Sequence, residues 1–390
     1  MKKRYVIIGA GIAGITAAET IRSLDQDGEI MIFSKEKELP YSRPMLSKSP
    51  LLSLGLKSFA LHDEEWYREQ NIDLRLGVSV DKLDVEEQNI LAGGRSISYD
   101  KCIIATGASN FIPPFKGREE VEICDIRKIS DLKHLRRLAF PGGKAVVIGG
   151  GVIGLEMAAE IRRYGMEVTV LEAMPRLMPR LIDERTSDLL TKRLPFEVFT
   201  GVNILKLSRK GEETVIEDDL GRSWNCDLLI VSCGVRAEVS LALDAGIACN
   251  RAIVVNQKME TSAKNVYACG DCAEFEGFNA ALWSEGLAQG EVAGRNAAGD
   301  ESIYTGCDTS LVMMMDDLGL FSIGDLGQTG EGYVIEEREW QPGPRLLIDP
   351  RRPEKEGFSR KIFKDGKLVG AVLIGDLTSM NEIKEEILGR

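Results

Sequence analysis

Histidine is nearly missing from this chain, with His62 and His134 the only two among 390 residues. Eight cysteines are scattered from Cys102 to Cys307, and no second Cys/His group stands ready to complete a four-ligand metal site. Positive charge is also short: 49 Lys and Arg face 61 Asp and Glu, for a net charge of −12. That balance argues against nucleic acid as the main partner, because phosphate contacts need basic surface. Long apolar runs are absent as well. The stretch from Val6 to Ile15 is short and broken by glycines, and nothing approaches the roughly 18 residues of a membrane span. Its glycines belong to a structured turn, so it does not read as a signal peptide. Thiols without a secretion signal fit a reducing cytoplasm, where free buried cysteine is the default. What is present, 44% hydrophobic and 28% charged residues, suits globular domains, and the length allows two or three of them.

The chain is organised around residues 144–172. The strand-like KAVVI runs into Gly149-Gly150-Gly151-Val152-Ile153-Gly154, then a helical pattern to Gly165, then a second strand ending at Glu172. In G-x-G-x-x-G the first glycine makes the turn, the second admits a pyrophosphate to the backbone, and the third lets helix and strand pack closely. The helix N-terminus offers unpaired N–H groups and partial positive charge to the phosphates. Glu172 stands where a carboxylate can accept hydrogen bonds from ribose hydroxyls. The pattern also occurs at the N-terminus: Tyr5 to Ile8, the turn Gly9-Ala10-Gly11-Ile12-Ala13-Gly14, a helix to Leu24, and a strand from Glu29 to Phe33 with Glu36 just beyond. Two such turns predict a chain that passes electrons between two nucleotides.

Further along, Leu39 to Lys48 reads LPYSRPMLSK, whose prolines make it an extended loop or helix start. Asp63 to Gln70 is helix-like, Ile72 to Leu76 and Ser79 to Leu83 are strands, and Ile90 and Ile97 mark a hairpin. KCIIATG ends in Ala105-Thr106-Gly107, and DLLIVSCG repeats that strand-then-glycine ending at Gly234. Arg176 and Arg180 can contact nucleotide phosphate or simply sit on a solvated loop. TSAKNVYACGD ends at Gly270-Asp271, and Ala280 to Ala297 is helical. Asp365-Gly366 is a hairpin turn signal, Gln341 to Lys355 a loop, and Asn381 to Leu388 a final helix. Met313 to Met315 fits a core strand better than an interface.

Together these motifs resemble the FAD-dependent pyridine nucleotide-disulfide oxidoreductase family, nearest to the NADH:rubredoxin and ferredoxin-type reductases and the NADH-flavin modules of nitrite reductases. The resemblance is most specific over 5–48, 101–107, 144–172 and 261–297 and weakest over 304–390. It implies an α/β fold with two Rossmann-like (three-layer ββα) nucleotide-binding domains and a small C-terminal α+β domain. Their expected limits are 1–113 with 236–303 for FAD, 114–235 for NAD, and 304–390. It also implies roles: Arg43, Pro44 and Lys48 along the flavin ring, with Lys48 near its N5 and paired with Glu156. Val80 would meet the FAD adenine through its backbone. Ala105, Thr106 and Gly107 would allow close approach, and Gly270 and Asp271 would hold the ribityl or pyrophosphate part. The helix after residue 280 would aim its N-terminus at the pyrimidine ring, where its dipole favours reduced flavin.

Family members that reduce disulfides or peroxide carry cysteine after the first nucleotide turn, but Leu39 to Pro50 has none. Glutathione-reductase-like members need a C-terminal histidine base, and both histidines lie far upstream. Cys269-Gly-Asp-Cys272 has a redox spacing inside a turn committed to flavin, so small packing residues and a redox pair both stay open. The expectation is therefore electron relay from NADH through FAD to a small redox protein such as rubredoxin. NADH oxidation by oxygen or quinone, a nitrite-reductase partnership and a redox-sensing flavoprotein are the alternatives. Glu172 predicts preference for NADH over NADPH. Monomer and homodimer are equally open.

Overall fold

The computed structural model describes residues 2–48, 59–315, 318–326, 330–341 and 356–389. The chain has a mixed α/β fold with parallel sheets and divides into two compact units. The first comprises Met1–Pro44, Gly55–Ser109 and Val235–Thr309; the second Met45–Leu54, Asn110–Gly234 and Ser310–Arg390.

In the first unit five parallel strands lie in the order Val266–Ala268, Lys101–Ile104, Arg4–Ile8, Glu29–Ser34, Ile72–Leu76. Apart from Ile72–Leu76, which buries only Ile72, their near-continuous Val, Ile and Cys runs are buried, as parallel strands covered on both faces require. The order reverses beside Arg4–Ile8, the place where open α/β sheets bind ligands. Helix Ile12–Leu24 begins there and packs against helix Trp283–Ala298. Glycines make that packing close: a Cβ on Gly290 would lie 2.4 Å from Ala13 O, and one on Gly294 2.7 Å from Ala17 O. The antiparallel meander Val80–Asp84, Asn89–Ala92, Arg95–Ser98 completes this unit.

The second unit repeats the plan with the parallel order Glu197–Phe199, Glu167–Leu171, Lys144–Ile148, Leu228–Val231. It has its own meander, Ile204–Lys210, Glu213–Asp218, Ser223–Cys226. The described residues from Ser310 onward belong to this unit and form a five-stranded antiparallel sheet with helix Met380–Leu388. The Asp365-Gly366 turn is present, with both φ positive (49° and 78°), linking Gly357–Lys364 to Lys367–Gly375. Strand Leu311–Met315 buries Met313 and Met315 and turns Met314 outward, so only alternate methionines are core. Most of the loop expected from Gln341 to Lys355 lies outside the described residues.

Two helix starts differ from the sequence pattern. The first helix starts at Ile12, immediately after Gly11, rather than at Ile15. The helix expected from Ala280 starts only at Trp283, because Ala281 takes a positive φ of 51° and cannot continue one.

Candidate active site

The two glycine turns have nearly the same geometry. Gly9 has φ 116° and Gly149 φ 112°; each N–H donates at 2.8 Å to the neighbouring strand, to Phe33 O and Leu171 O. A Cβ on Gly9 would lie 2.0 Å from Ala105 O, and one on Gly149 2.2 Å from Ser232 O. On Gly14 and Gly154 it would strike the carbonyls of Gly9 and Gly149 at 2.1 and 2.0 Å. Gly11 and Gly151 differ: nothing lies within 4 Å of their virtual Cβ, and neither helix they open has a side-chain cap. Two glycines per turn are thus required by the protein's own backbone. The middle one leaves open space in front of unpaired N–H groups, which fits phosphate.

Around the first turn, Glu36 accepts from Tyr41 OH at 2.7 Å and pairs with the Arg43 guanidinium. Burial works against charge on Arg43, but Tyr41, Glu36 and Asp271 outweigh it and raise its pKa. Thr106 Oγ1 donates to Glu238 O at 2.8 Å and Gly107 O accepts from Glu238 N at 2.9 Å, so these residues fasten the turn that follows strand Lys101–Ile104. Gly270 (φ 76°) abuts the first helix, since a Cβ there would be 2.8 Å from Ala13 Cβ. Gly9 to Gly14, Ala105 and the Gly270-Asp271 turn therefore converge, with Arg43 facing Asp271. Val80 opens the meander, paired with Ala92. Pro44 closes the first stretch of this unit, just before helix Met45–Lys48. Cys269 and Cys272 are fully buried; burial pushes both thiols up, and Cys272 Sγ lies 3.4 Å from Ile104 O. Thiolate formation is suppressed at both.

In the second unit Glu172 accepts Gly150 N–H at 2.6 Å and Met174 N–H at 2.8 Å, which holds its carboxylate at the strand end. Arg176 is committed elsewhere: its guanidinium donates to Ile182 O at 2.5 Å and Pro179 O at 3.0 Å. Ile153 is exposed and Val152 half-buried on the helix's first turn. Gly234 (φ 93°) has open space at its virtual Cβ and accepts Phe111 N–H at 2.8 Å.

Glu156, on the first turns of helix Val152–Arg163, is 2% exposed. Ser47 Oγ donates to its Oε2, while Lys48 Nζ lies 4.0 Å from Oε1 and Met314 N–H 3.4 Å. Lys48 Nζ also donates to Val312 O at 3.3 Å. Burial raises the Glu156 pKa against the pull of Ser47, Lys48 and Met314. Lys48 and Glu156, 108 positions apart, are thus neighbours across a loose, partly exposed ion pair. Ser47 and Met314 are additions that the sequence pattern did not reveal, because a single polar side chain and a backbone N–H carry no periodic signal. Glu285, Asn279 and Gln289 around the Gly270 turn were missed for the same reason.

Two open-faced glycine cradles, each at the end of a parallel strand, define a protein built for dinucleotides. The model of the pyridine nucleotide-disulphide oxidoreductase family matches residues 3–297, and the chain belongs to that family. Members of that family are, by its description, oxidoreductases that use a pyridine nucleotide. It is 33% identical over 98% of its length to the nitrite reductase [NAD(P)H] of Bacillus subtilis, and spans 47%, about half, of that relative. It is 32% identical over 95% of its length to 87% of the NADH oxidase of Methanocaldococcus jannaschii. The crystal structure of NADH:rubredoxin oxidoreductase from Clostridium acetobutylicum superposes with a TM-score of 0.78 at 25% identity, covering all of this chain and 96% of that one. Among the described residues no helix is long and apolar enough to cross a membrane, and no cluster of three or more His, Cys, Asp or Glu could hold a metal.

Proposed function

We propose that the chain passes electrons from NADH through FAD to a small redox protein such as rubredoxin. The observation that carries this reading is the pair of matching glycine cradles, one in each compact unit. FAD is given to the first, in a Rossmann-like domain of residues 1–113 and 236–303. NADH is given to the second, in a Rossmann-like domain of residues 114–235. Residues 304–390 are a C-terminal α+β domain. The flavin supplies two-electron acceptance from NADH and electron release to the acceptor.

The chain's own residues bind and orient. Gly9 to Gly14 receive the FAD pyrophosphate, Glu36 the adenosine ribose, and Val80 the adenine. Ala105, Thr106, Gly107, Gly270 and Asp271 hold the ribityl side, and Arg43 and Pro44 flank the ring. Gly149, Gly151 and Gly154, with Val152 and Ile153, receive the NADH pyrophosphate; Glu172 takes its ribose, and Gly234 lets the dinucleotide pass close to the backbone. Lys48 supplies a cation beside the reacting ring and Glu156 orients it, offsetting the cost of placing that charge.

The cysteine-free segment 39–48 and the suppressed Cys269 and Cys272 thiols support a protein acceptor over a disulfide. The similarity to an NADH oxidase and to half of a nitrite reductase supports a second reading, with oxygen or a nitrite-reducing partner as acceptor. Stopped-flow reduction by NADH, then reoxidation by rubredoxin, ferredoxin or oxygen, separates them. Fast reoxidation by rubredoxin and slow reoxidation by oxygen is expected; the reverse order overturns the reading.

A further inference from the structure

Glu285 is a carboxyl that the electron-relay scheme leaves unused. It sits on the first turn of helix Trp283–Ala298 and is 1% exposed. Its Oε2 accepts two backbone N–H groups, from Ala280 and Ala281, both at 2.9 Å. These bonds hold the bend at Ala281, whose φ is 51°. Asn279, at the start of the same bend, donates to Asp271 O at 2.9 Å and Ala273 O at 2.8 Å. One turn further along, Gln289 Oε1 accepts Gly270 N–H at 2.8 Å. Next to Glu285, a Cβ on Gly286 would lie 2.9 Å from Ile12 Cγ2 and 3.8 Å from Ala13 N. Glu285 therefore lies where the Gly270-Asp271 turn, the first glycine-turn helix and the start of helix Trp283–Ala298 meet.

We infer that Glu285 is a positioning residue of the flavin site that takes up a proton from solvent when the cofactor is reduced. This rests on FAD occupying the first cradle. Hydride transfer moves two electrons and one proton from NADH to the flavin, leaving NAD⁺ and a cofactor with one more negative charge. A carboxylate held beside that charge gains affinity for a proton; one solvent proton binds its free lone pair and no other bond changes. The residues just before it, 279–284, are half-buried.

The groups that face Glu285 make it ready to titrate. Asp271 faces it from the Gly270 turn, and Tyr304 and Cys307 from the segment after the helix. Beside the neighbouring Gly286 the first helix presents Ile12 and Ala13, and strand Val266–Ala268 meets this helix at Tyr267, whose hydroxyl donates to Asn296 O three turns away. Burial and the Asp271 charge push Glu285 up to about 7 against the pull of the Ala280 and Ala281 N–H groups.

The test measures proton uptake on reduction with a pH-indicator dye, and the flavin midpoint potential against pH, in wild type and Glu285→Gln. Gln keeps an acceptor for Ala280 and Ala281 but cannot titrate. Near neutral pH the wild type should take up more protons per flavin than the variant, by up to about one, and only the wild type should show the matching inflection in potential. Equal uptake and superimposable potential profiles overturn the inference. If Glu285→Gln cannot hold FAD, Glu285→Asp decides. An inflection displaced in pH supports the inference, and one left at the wild-type pH overturns it. A wild type without flavin overturns the parent reading, and this one with it.

Discussion

Glu156 shows how one side chain sets conditions for another. Its carboxyl is buried, and burial raises its pKa, yet three donors aim at it, two of them from Ser47 and Lys48 of one short helix. Only the ionised form orients Lys48, so reduction by NADH should rise with pH through the raised Glu156 pKa. Stopped-flow traces over roughly pH 5 to 8 check this. Glu156→Gln should flatten the profile, and a pH-independent wild type would remove Glu156 from the scheme. Ser47→Ala deletes a hydrogen bond to a charged group, about 1.5–3 kcal/mol, and should move the inflection to higher pH. Lys48→Ala should slow reduction and make the flavin potential more negative while FAD stays bound. Stability carries the opposite sign. A carboxyl whose folded pKa is raised above its ordinary 4.5 keeps its proton in the fold after the unfolded chain has lost it. Stability thus falls as pH rises above 4.5 toward the folded value, and Glu156→Gln should remove that slope from urea-unfolding midpoints.

At the scale of the element, the glycines of one turn separate into two kinds. Gly9→Ala puts a Cβ 2.0 Å from Ala105 O at a φ of 116°, so both fold stability and FAD retention should fall. Gly11→Ala meets nothing within 4 Å. Its apo-protein should melt within about 0.5 kcal/mol of wild type while FAD affinity drops, because the methyl fills the space phosphate needs. Calorimetry of apo-protein beside flavin titration reads both quantities; equal loss of stability in the two variants would refute the distinction. These turns were legible in the sequence because strand period, glycine spacing and helix period agree over some thirty residues each. The Asp365-Gly366 hairpin was legible for the same local reason. The shift of the helix start from Ala280 to Trp283 was not, because it depends on a buried carboxyl binding two backbone groups. Arg176 is similar: sequence proximity to Glu172 suggested phosphate, but its guanidinium fastens its own loop at Pro179 and Ile182. With Arg176 so committed, the ribose contact proposed for Glu172 has no cation from that side chain beside it. NADH should therefore be preferred over NADPH by at least about tenfold in kcat/KM, near 1.4 kcal/mol. Arg176→Ala should not lower use of NADPH relative to NADH, and a selective loss would return Arg176 to the phosphate.

At the scale of the molecule, the two cradles belong to different compact units, each with its own parallel sheet and apolar core. A ligand that binds only the folded state stabilises what it binds by RT ln(1 + [L]/Kd), about 2.7 kcal/mol at a hundredfold excess over Kd. In hydrogen exchange that is about a hundredfold slowing at amides that open only with the bound region. The N–H groups at the starts of helices Ile12–Leu24 and Val152–Arg163 lack side-chain caps, so phosphate should protect them most. Apo-protein given FAD should slow exchange over residues 9–15, 105–107 and 269–273, which the Gly9, Ala105 and Gly270 contacts bring together. NAD⁺ added to the FAD-loaded protein should slow 149–155 and the strand end at Glu172, where Gly150 N–H already meets a carboxylate. Protection in the opposite order would exchange the two nucleotides between the cradles. Protection of 9–15 by both ligands would mean that the second glycine turn, despite its matching geometry, packs strand against helix and holds no nucleotide.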